Sequence, residues 1–208
     1  MKKTPNKKSP HKTPAPQRPV AERAARPATA KAAAKQTARK PVEKNAAKPT
    51  SGAGAEAWLG KRIPGFELGS DAGKRVTSKS LVGAPFVLYF YPKDDTPGCT
   101  REACDFRDGF AAFRRAKLAV FGVSPDSAES HARFRQKYSL PFALLSDADH
   151  SLAKALGVWT KKKNYGREYM GIERSTFLVD GKGVVRHVWR KVRVEGHAEA
   201  VLARAGEL

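Results

Sequence analysis

APFVLYFYPKDDTPGCTREAC, residues 84–104, sets an apolar, aromatic run directly before a Thr-Pro-Gly-Cys turn. The run at 84–92 has no polar residue to mark a solvent face, so it reads as a buried central strand. Thr96 suits a helix N-cap and Pro97 the first helical position, where its missing N–H costs nothing. A helix is therefore expected through TPGCTREACDFRDGFAAFRRA, with Ala103, Phe106, Phe110 and Phe113 at helical spacing. These residues and the aromatics of YFYP are expected in the core.

Outward from this stretch, strands and helices alternate. KLAVFGVSPD (117–126) reads as a second buried strand and SAESHARFRQKYS as a second helix. FALLSD (142–147) reads as a third strand, followed by the short helix HSLAKALG. ERSTFLVDGKGVVRHVWR reads as two strands joined by a glycine-containing turn at Asp180–Gly183. EGHAEAVLARAGEL closes as a helix, and FELGSDAGKRVTSKSLVG suggests a small N-terminal hairpin. The pattern predicts an α/β domain with a mixed central sheet flanked by helices.

Composition divides the 208 residues in two. Residues 1–50 carry 14 Lys/Arg against Glu22 and Glu43, a net +12, and eight of the 14 prolines. No aromatic precedes Trp58. Such a segment buries too little apolar surface to offset ordering entropy, so residues 1–54 are expected to be a disordered Lys/Ala/Pro-rich tail, with the folded domain at 55–208. Spaced positive charge suits salt-sensitive, non-specific nucleic-acid binding, and the lack of aromatics argues against base readout. A purely solubilising tail fits equally well. The N-terminus lacks the apolar core of a secretory signal, and it is too poor in Ser to match a transit peptide well. No run approaches the length of a membrane span, so no membrane association is expected. Two cysteines are too few for a disulfide-stapled secreted fold, which points to a reducing, cytoplasmic setting.

Those two cysteines, Cys99 and Cys104, lie five positions apart. A structural disulfide, half of a metal site, a reactive thiol with a partner and two inert thiols are the readings to separate. In a helix begun by Thr96, Cys99 falls in the first turn, where unpaired N–H groups and the helix dipole favour a thiolate. Gly98 lets the backbone approach a ligand closely. Helical geometry puts the two Cα atoms about 8.6 Å apart, beyond the roughly 7 Å a disulfide tolerates. A bridge therefore requires the helix to open, which disfavours a structural staple. The histidines, His11, His131, His150, His187 and His197, are scattered, with none near the cysteines in sequence, so no metal is expected.

Pro92, Thr96 and Cys99 fit the P-x-x-x-T-x-x-C signature of peroxiredoxins. YPKDDTPGCTREACDFRD resembles the peroxiredoxin Q group, also called bacterioferritin comigratory proteins, and NYGREYMGIERSTFLVD (164–180) is similar to that group's downstream block. The resemblance covers about residues 58–208 and leaves the basic tail aside. It implies a thioredoxin-like fold and a thiol peroxidase that acts on hydrogen peroxide and organic hydroperoxides without a cofactor, as a monomer or weak dimer. Within it Cys99 is the peroxidatic cysteine and Thr96 Oγ bonds thiolate and peroxide. Arg174, expected on the strand of ERSTF, stabilises developing charge, and Pro92 shields the pocket from water. Cys104 is implied as the resolving cysteine, with thioredoxin or a similar dithiol as reductant. Glu102 is expected to be a solvated first-turn glutamate, favoured by the dipole, and Tyr165 and Tyr169 either line the pocket or only pack. The rival functions are a nucleic-acid-binding protein acting through its tail and a disulfide reductase. C-x4-C in place of C-x-x-C counts against the reductase.

Overall fold

Five consecutive apolar side chains, Phe86–Phe90, form a strand (β3) in which every residue is buried. The computed structural model that shows this describes residues 55–208 other than Tyr165. The expected tail, 1–54, lies outside the described residues. β3 is an interior strand of a seven-stranded mixed sheet, flanked by parallel β4 (Ala119–Ser124) and antiparallel β8 (Ser175–Val179). Beyond β4 lies parallel β5 (Ala143–Ser146), then antiparallel β1 (Glu67–Ser70) and β2 (Arg75–Thr77). Beyond β8 lies antiparallel β9 (Val185–Arg190). The short N-terminal hairpin and the hairpin turned at Gly183, which has φ 77°, fall where the sequence places them.

Both faces of the sheet are covered, which is why β3 can be apolar throughout. One face packs Phe86, Leu88, Phe90, Leu145, Phe177 and their neighbours with α4 (Ser151–Ala155). The other packs Val87, Tyr89, Tyr91, Leu144 and Leu178 beneath α1 (Pro97–Asp108), α3 (Ala128–Tyr138) and α5 (His197–Ala205). α1 is seated by the Phe106 ring stacked on Tyr89, centroids 4.7 Å apart. A fully buried aromatic of this kind contributes about 1.5–3 kcal/mol.

Two expectations need correction. The helix after Thr96 is not continuous: it breaks at Gly109, and Phe110–Arg115 form a separate α2. The break lets Phe113 stay in the core while Phe110 is only half-buried. A third hairpin, β6 (Trp159–Asn164) with β7 (Arg167–Ile172), was not expected. It forms its own two-stranded sheet, and Glu168, Tyr169 and Met170 on β7 are exposed. With so little of it buried, it lacks the hydrophobic alternation that marks a strand in sequence.

Gly122 on β4 permits the stacking that holds α1. A Cβ there would lie 2.7 Å from both Tyr89 Oη and Leu144 Cδ2, and Tyr89 is wedged between Phe106 and Tyr91 with no room to withdraw. Gly122→Ala is expected to destabilise the fold by roughly 1–3 kcal/mol, the usual cost of overpacking. Urea unfolding reads this directly, and an unchanged midpoint would show that the Tyr89 ring moves aside freely.

Candidate active site

The link between β3 and α1 is tied down residue by residue. The Asp94 N–H donates to Asp126 Oδ2 at 2.8 Å. The Asp94 carboxylate accepts from Tyr91 Oη at 2.7 Å and Ser130 Oγ at 2.8 Å, and lies 2.9 Å from His131 Nδ1. His131 Nε2 faces the Leu145 carbonyl at 3.3 Å. Burial opposes ionisation of Asp94 most strongly, yet the bonds from His131, Tyr91 and Ser130 together hold its carboxyl below the usual range. Asp95, at φ 55°, is fixed by Lys137 Nζ at 2.7 Å and Tyr138 Oη at 2.6 Å. Both aspartates are thus clamped to α3.

Thr96 stands at the N-cap with extended backbone (ψ 150°), and Pro97 opens α1 as expected. Its hydroxyl does not cap the helix; Oγ1 donates to the Lys93 carbonyl at 3.1 Å. Pro92 is exposed. Cys99 sits in the first turn, 2 % exposed, among Val87, Tyr89, Ala103 and Phe106. Cys104 lies half-buried in the same unbroken helix, and both thiols are free. Burial pushes the Cys104 thiol up against the opposing pull of Arg107.

Arg174 comes from far along the chain to meet Cys99. It lies in the two-residue link between β7 and β8 rather than on a strand, which corrects the expectation. Its Nη2 donates to Cys99 Sγ at 3.3 Å, and its Nη1 to Glu102 Oε2. The link is held on both sides: the Glu173 N–H donates to the Val158 carbonyl at 2.7 Å, and Val192 N–H to the Arg174 carbonyl at 3.0 Å. Glu173 also accepts from Arg190 Nε at 2.7 Å. A Cβ on Gly98 would stand 3.4 Å from Arg174 Nη2, so glycine keeps this approach open.

Glu102 is the residue the sequence reading misplaced. It is 1 % exposed and paired to Arg174, not a solvated first-turn side chain. Burial is the main cause that pushes its carboxyl up to about 7, against the pull of Arg174. The signal was its spacing: position i+3 from Cys99 shares a helix face with Cys99, Ala103 and Phe106. Two further groups were missed. His197 lies against Thr176 Oγ1, with Nε2 at 2.8 Å, and burial together with Arg174 lowers it to about 4. Lys162 on β6 is half-buried and lowered by burial and by Arg174. Of the two tyrosines, Tyr165 lies outside the described residues, and Tyr169 is exposed with its ring over Gly171. The assembled centre is a buried thiol at a helix N-terminus, facing a guanidinium that it shares with a buried carboxyl. That arrangement stabilises negative charge on sulfur and on an oxygen brought next to it.

The sequence profile of the AhpC/TSA family matches residues 59–188. "Peroxiredoxin Bcp" of Bacillus subtilis (strain 168) is 52 % identical over 144 residues, 69 % of this chain and 92 % of the relative. The protein of the same name from Escherichia coli (strain K12) is 39 % identical over 143 residues, with coverages of 69 % and 92 %. Among solved structures, Xanthomonas campestris peroxiredoxin Q superposes with a TM-score of 0.66 at 44 % identity, covering 68 % of this chain and 90 % of that one. A second structure of the Xanthomonas protein, called bacterioferritin comigratory protein, concerns its alkyl peroxide reduction activity. Sequence, fold and the geometry around the buried thiol therefore agree that the chain belongs to the AhpC/TSA family, as a thioredoxin-fold peroxiredoxin of the Bcp and peroxiredoxin Q kind.

Proposed function

We propose that Cys99 is the peroxidatic thiol, which reduces hydrogen peroxide and organic hydroperoxides. The observation that carries this is the Arg174 Nη2 at 3.3 Å from a thiol buried in the first turn of α1. A cation and a helix N-terminus directed at one sulfur favour the thiolate, the attacking form. The thiolate attacks the terminal peroxide oxygen, releases water or alcohol and becomes a sulfenic acid. The alkyl peroxide reduction described for the Xanthomonas relative supports organic hydroperoxides as substrates. Arg174 and Thr96 are assigned to the oxygen side of the reaction, and Pro92 to the pocket rim. Thr96 Oγ1, now directed at Lys93, must turn inward to take that part.

Cys104 is assigned as the resolving thiol. Both thiols are free in one continuous helix. At i, i+5 their Cα atoms are about 8.6 Å apart, so the intramolecular disulfide forms only once the first turns of α1 unwind. Thioredoxin or a similar dithiol then reduces it. The reaction is placed in a reducing, cytoplasmic setting, with the catalytic domain at 55–208 acting as a monomer or weak dimer. Among the described residues no helix is long and apolar enough to cross a membrane.

Residues 1–54 are assigned a separate role, weak sequence-independent binding to nucleic acid. The favouring observation is 14 Lys/Arg against two Glu in residues 1–50, with no aromatic. Such charge binds by releasing phosphate counterions.

Three outcomes follow. Cys99→Ser is expected to abolish peroxide turnover in a coupled assay with thioredoxin, thioredoxin reductase and NADPH; near-normal turnover removes Cys99 from the mechanism. In the second, one equivalent of peroxide is expected to cost the parent protein two hydrogens by mass, with amide protection lost over residues 99–108. Cys104→Ser should gain one oxygen instead and over-oxidise more readily. Only intermolecular disulfides in the parent would overturn the part given to Cys104. In the third, affinity for two unrelated DNA duplexes is expected to be similar, to fall steeply with salt and to vanish on deleting residues 1–54. Equal affinity with and without the tail leaves it a solubiliser.

A further inference from the structure

Among the described residues, three buried side-chain polar atoms have no hydrogen-bond partner: Tyr89 Oη, Ser175 Oγ and Glu102 Oε1. Only Glu102 combines that with a bond to the guanidinium that holds the thiol. Its two oxygens are unequal. Oε2 accepts from Arg174 Nη1, while Oε1 faces no donor at 1 % exposure. A carboxylate oxygen left without a donor in such a site is far costlier than a neutral hydroxyl there, so Oε1 is where a proton belongs. The same guanidinium binds Cys99 Sγ through its other terminal nitrogen. With Glu102 ionised, the Arg174 charge is shared between two anions; with Glu102 protonated, it is available to sulfur. One cation thus stands between the two side chains, and the charge it offers to sulfur depends on whether the carboxyl beside it is ionised.

The reduction step has a matching need. When the thiolate takes the terminal oxygen, the O–O bond breaks and the other oxygen leaves as a strong base. We propose that Glu102 is the proton store of this step: its carboxyl keeps the proton that Cys99 gives up on becoming a thiolate, and returns it to the leaving oxygen. The inference rests on Cys99 as the attacking thiol. The balance is Cys99–S⁻ with ROOH and Glu102–COOH, giving Cys99–SOH, ROH and Glu102–COO⁻. An S–O bond forms, the O–O bond breaks, sulfur loses two electrons, the peroxide gains them, and one proton crosses to the alkoxide. The stored proton fits the burial-raised carboxyl, held at about 7. The groups acting on this centre are Arg174 from the β7–β8 link, Cys99 and Asp105 from α1, and Tyr89 from β3. Lys162 from β6 faces Glu173, Arg174 and Cys99, and His197 from α5 faces Arg174. His197, lowered to about 4, is neutral near pH 7 and brings no competing charge.

The sign of the pH effect follows. Above about 7 the carboxyl is ionised and the store is empty, so the rate with a basic leaving group falls as pH rises through that value. A peracid, whose leaving group is a weakly basic carboxylate, needs no such proton. The test measures kcat/KM for tert-butyl hydroperoxide and for a peracid across this range in the parent, Glu102→Gln and Cys99→Ser. Glu102→Gln keeps an acceptor for Arg174 but holds no transferable proton. It is expected to lose roughly 10²-fold with tert-butyl hydroperoxide, to lose far less with the peracid, and to show no alkaline fall. A uniform loss with both substrates in Glu102→Gln, while Cys99→Ser is inactive, overturns the proton store alone. Activity retained in Cys99→Ser overturns the assignment of the thiol instead. A further measurement needs no variant: the reduced parent should show an infrared carboxylic-acid band that disappears as pH rises through about 7. A carboxyl with no such transition in that range also overturns the proposal.

Discussion

One guanidinium holds the active centre together. Arg174 reaches the first turn of α1 from the link between β7 and β8, and divides its two terminal nitrogens between Cys99 and Glu102. Neither anion is tolerable alone at its depth, because a buried charge needs a partner. Much of the surrounding architecture serves that contact. β3 carries the chain into α1 beside β8, which begins immediately after Arg174. Main-chain bonds to the Val158 carbonyl and from the Val192 N–H fix the link, and Gly98 leaves it room.

The second constraint is the helix itself. Regular α1 keeps Cys99 in the field of Arg174 and at the N-terminal dipole, and the same regularity keeps Cys104 out of bonding range. The geometry that favours attack on peroxide thus opposes disulfide formation, so the proposed cycle needs two conformations of one segment. Phe106 stacked on Tyr89 and Phe113 in the core beyond Gly109 hold the far end of this region, so the proposed change falls on its first turns and must break the contacts of Cys99 and Glu102 with Arg174.

Much of this was legible in the chain. The apolar run at 84–92 and the Thr-Pro-Gly punctuation placed β3, α1 and Cys99 through local rules alone. Arg174 was legible only through family likeness, because nothing local to ERSTF says that its side chain meets a thiol 75 positions away. The β6–β7 hairpin escaped notice because most of β7 is exposed and no apolar alternation survives; Gly166, at φ 78°, was its one turn signal. Glu102 escaped because glutamate is rarely buried, and a general preference outweighed the specific spacing that put it on the inner face of α1. Asp94 and His131 lie 37 positions apart, and only the packing of α3 onto the β3–α1 link brings them together.

The double clamp of Asp94 and Asp95 onto α3 decides where the proposed unwinding of α1 begins. With Asp94 held by Tyr91, Ser130 and His131, and Asp95 by Lys137 and Tyr138, the chain has a fixed anchor immediately before Thr96. Unwinding that starts at Thr96 therefore releases only a short tether. Short tethers give high effective concentrations, in the millimolar range or above, which fall as the tether lengthens. In the proposed cycle the link between the thiols is only the four residues from Thr100 to Ala103, so Cys104 competes well against a dissolved thiol for an oxidised Cys99. The anchor sets where that change begins, and loosening it would let the unwinding spread back into the link from β3.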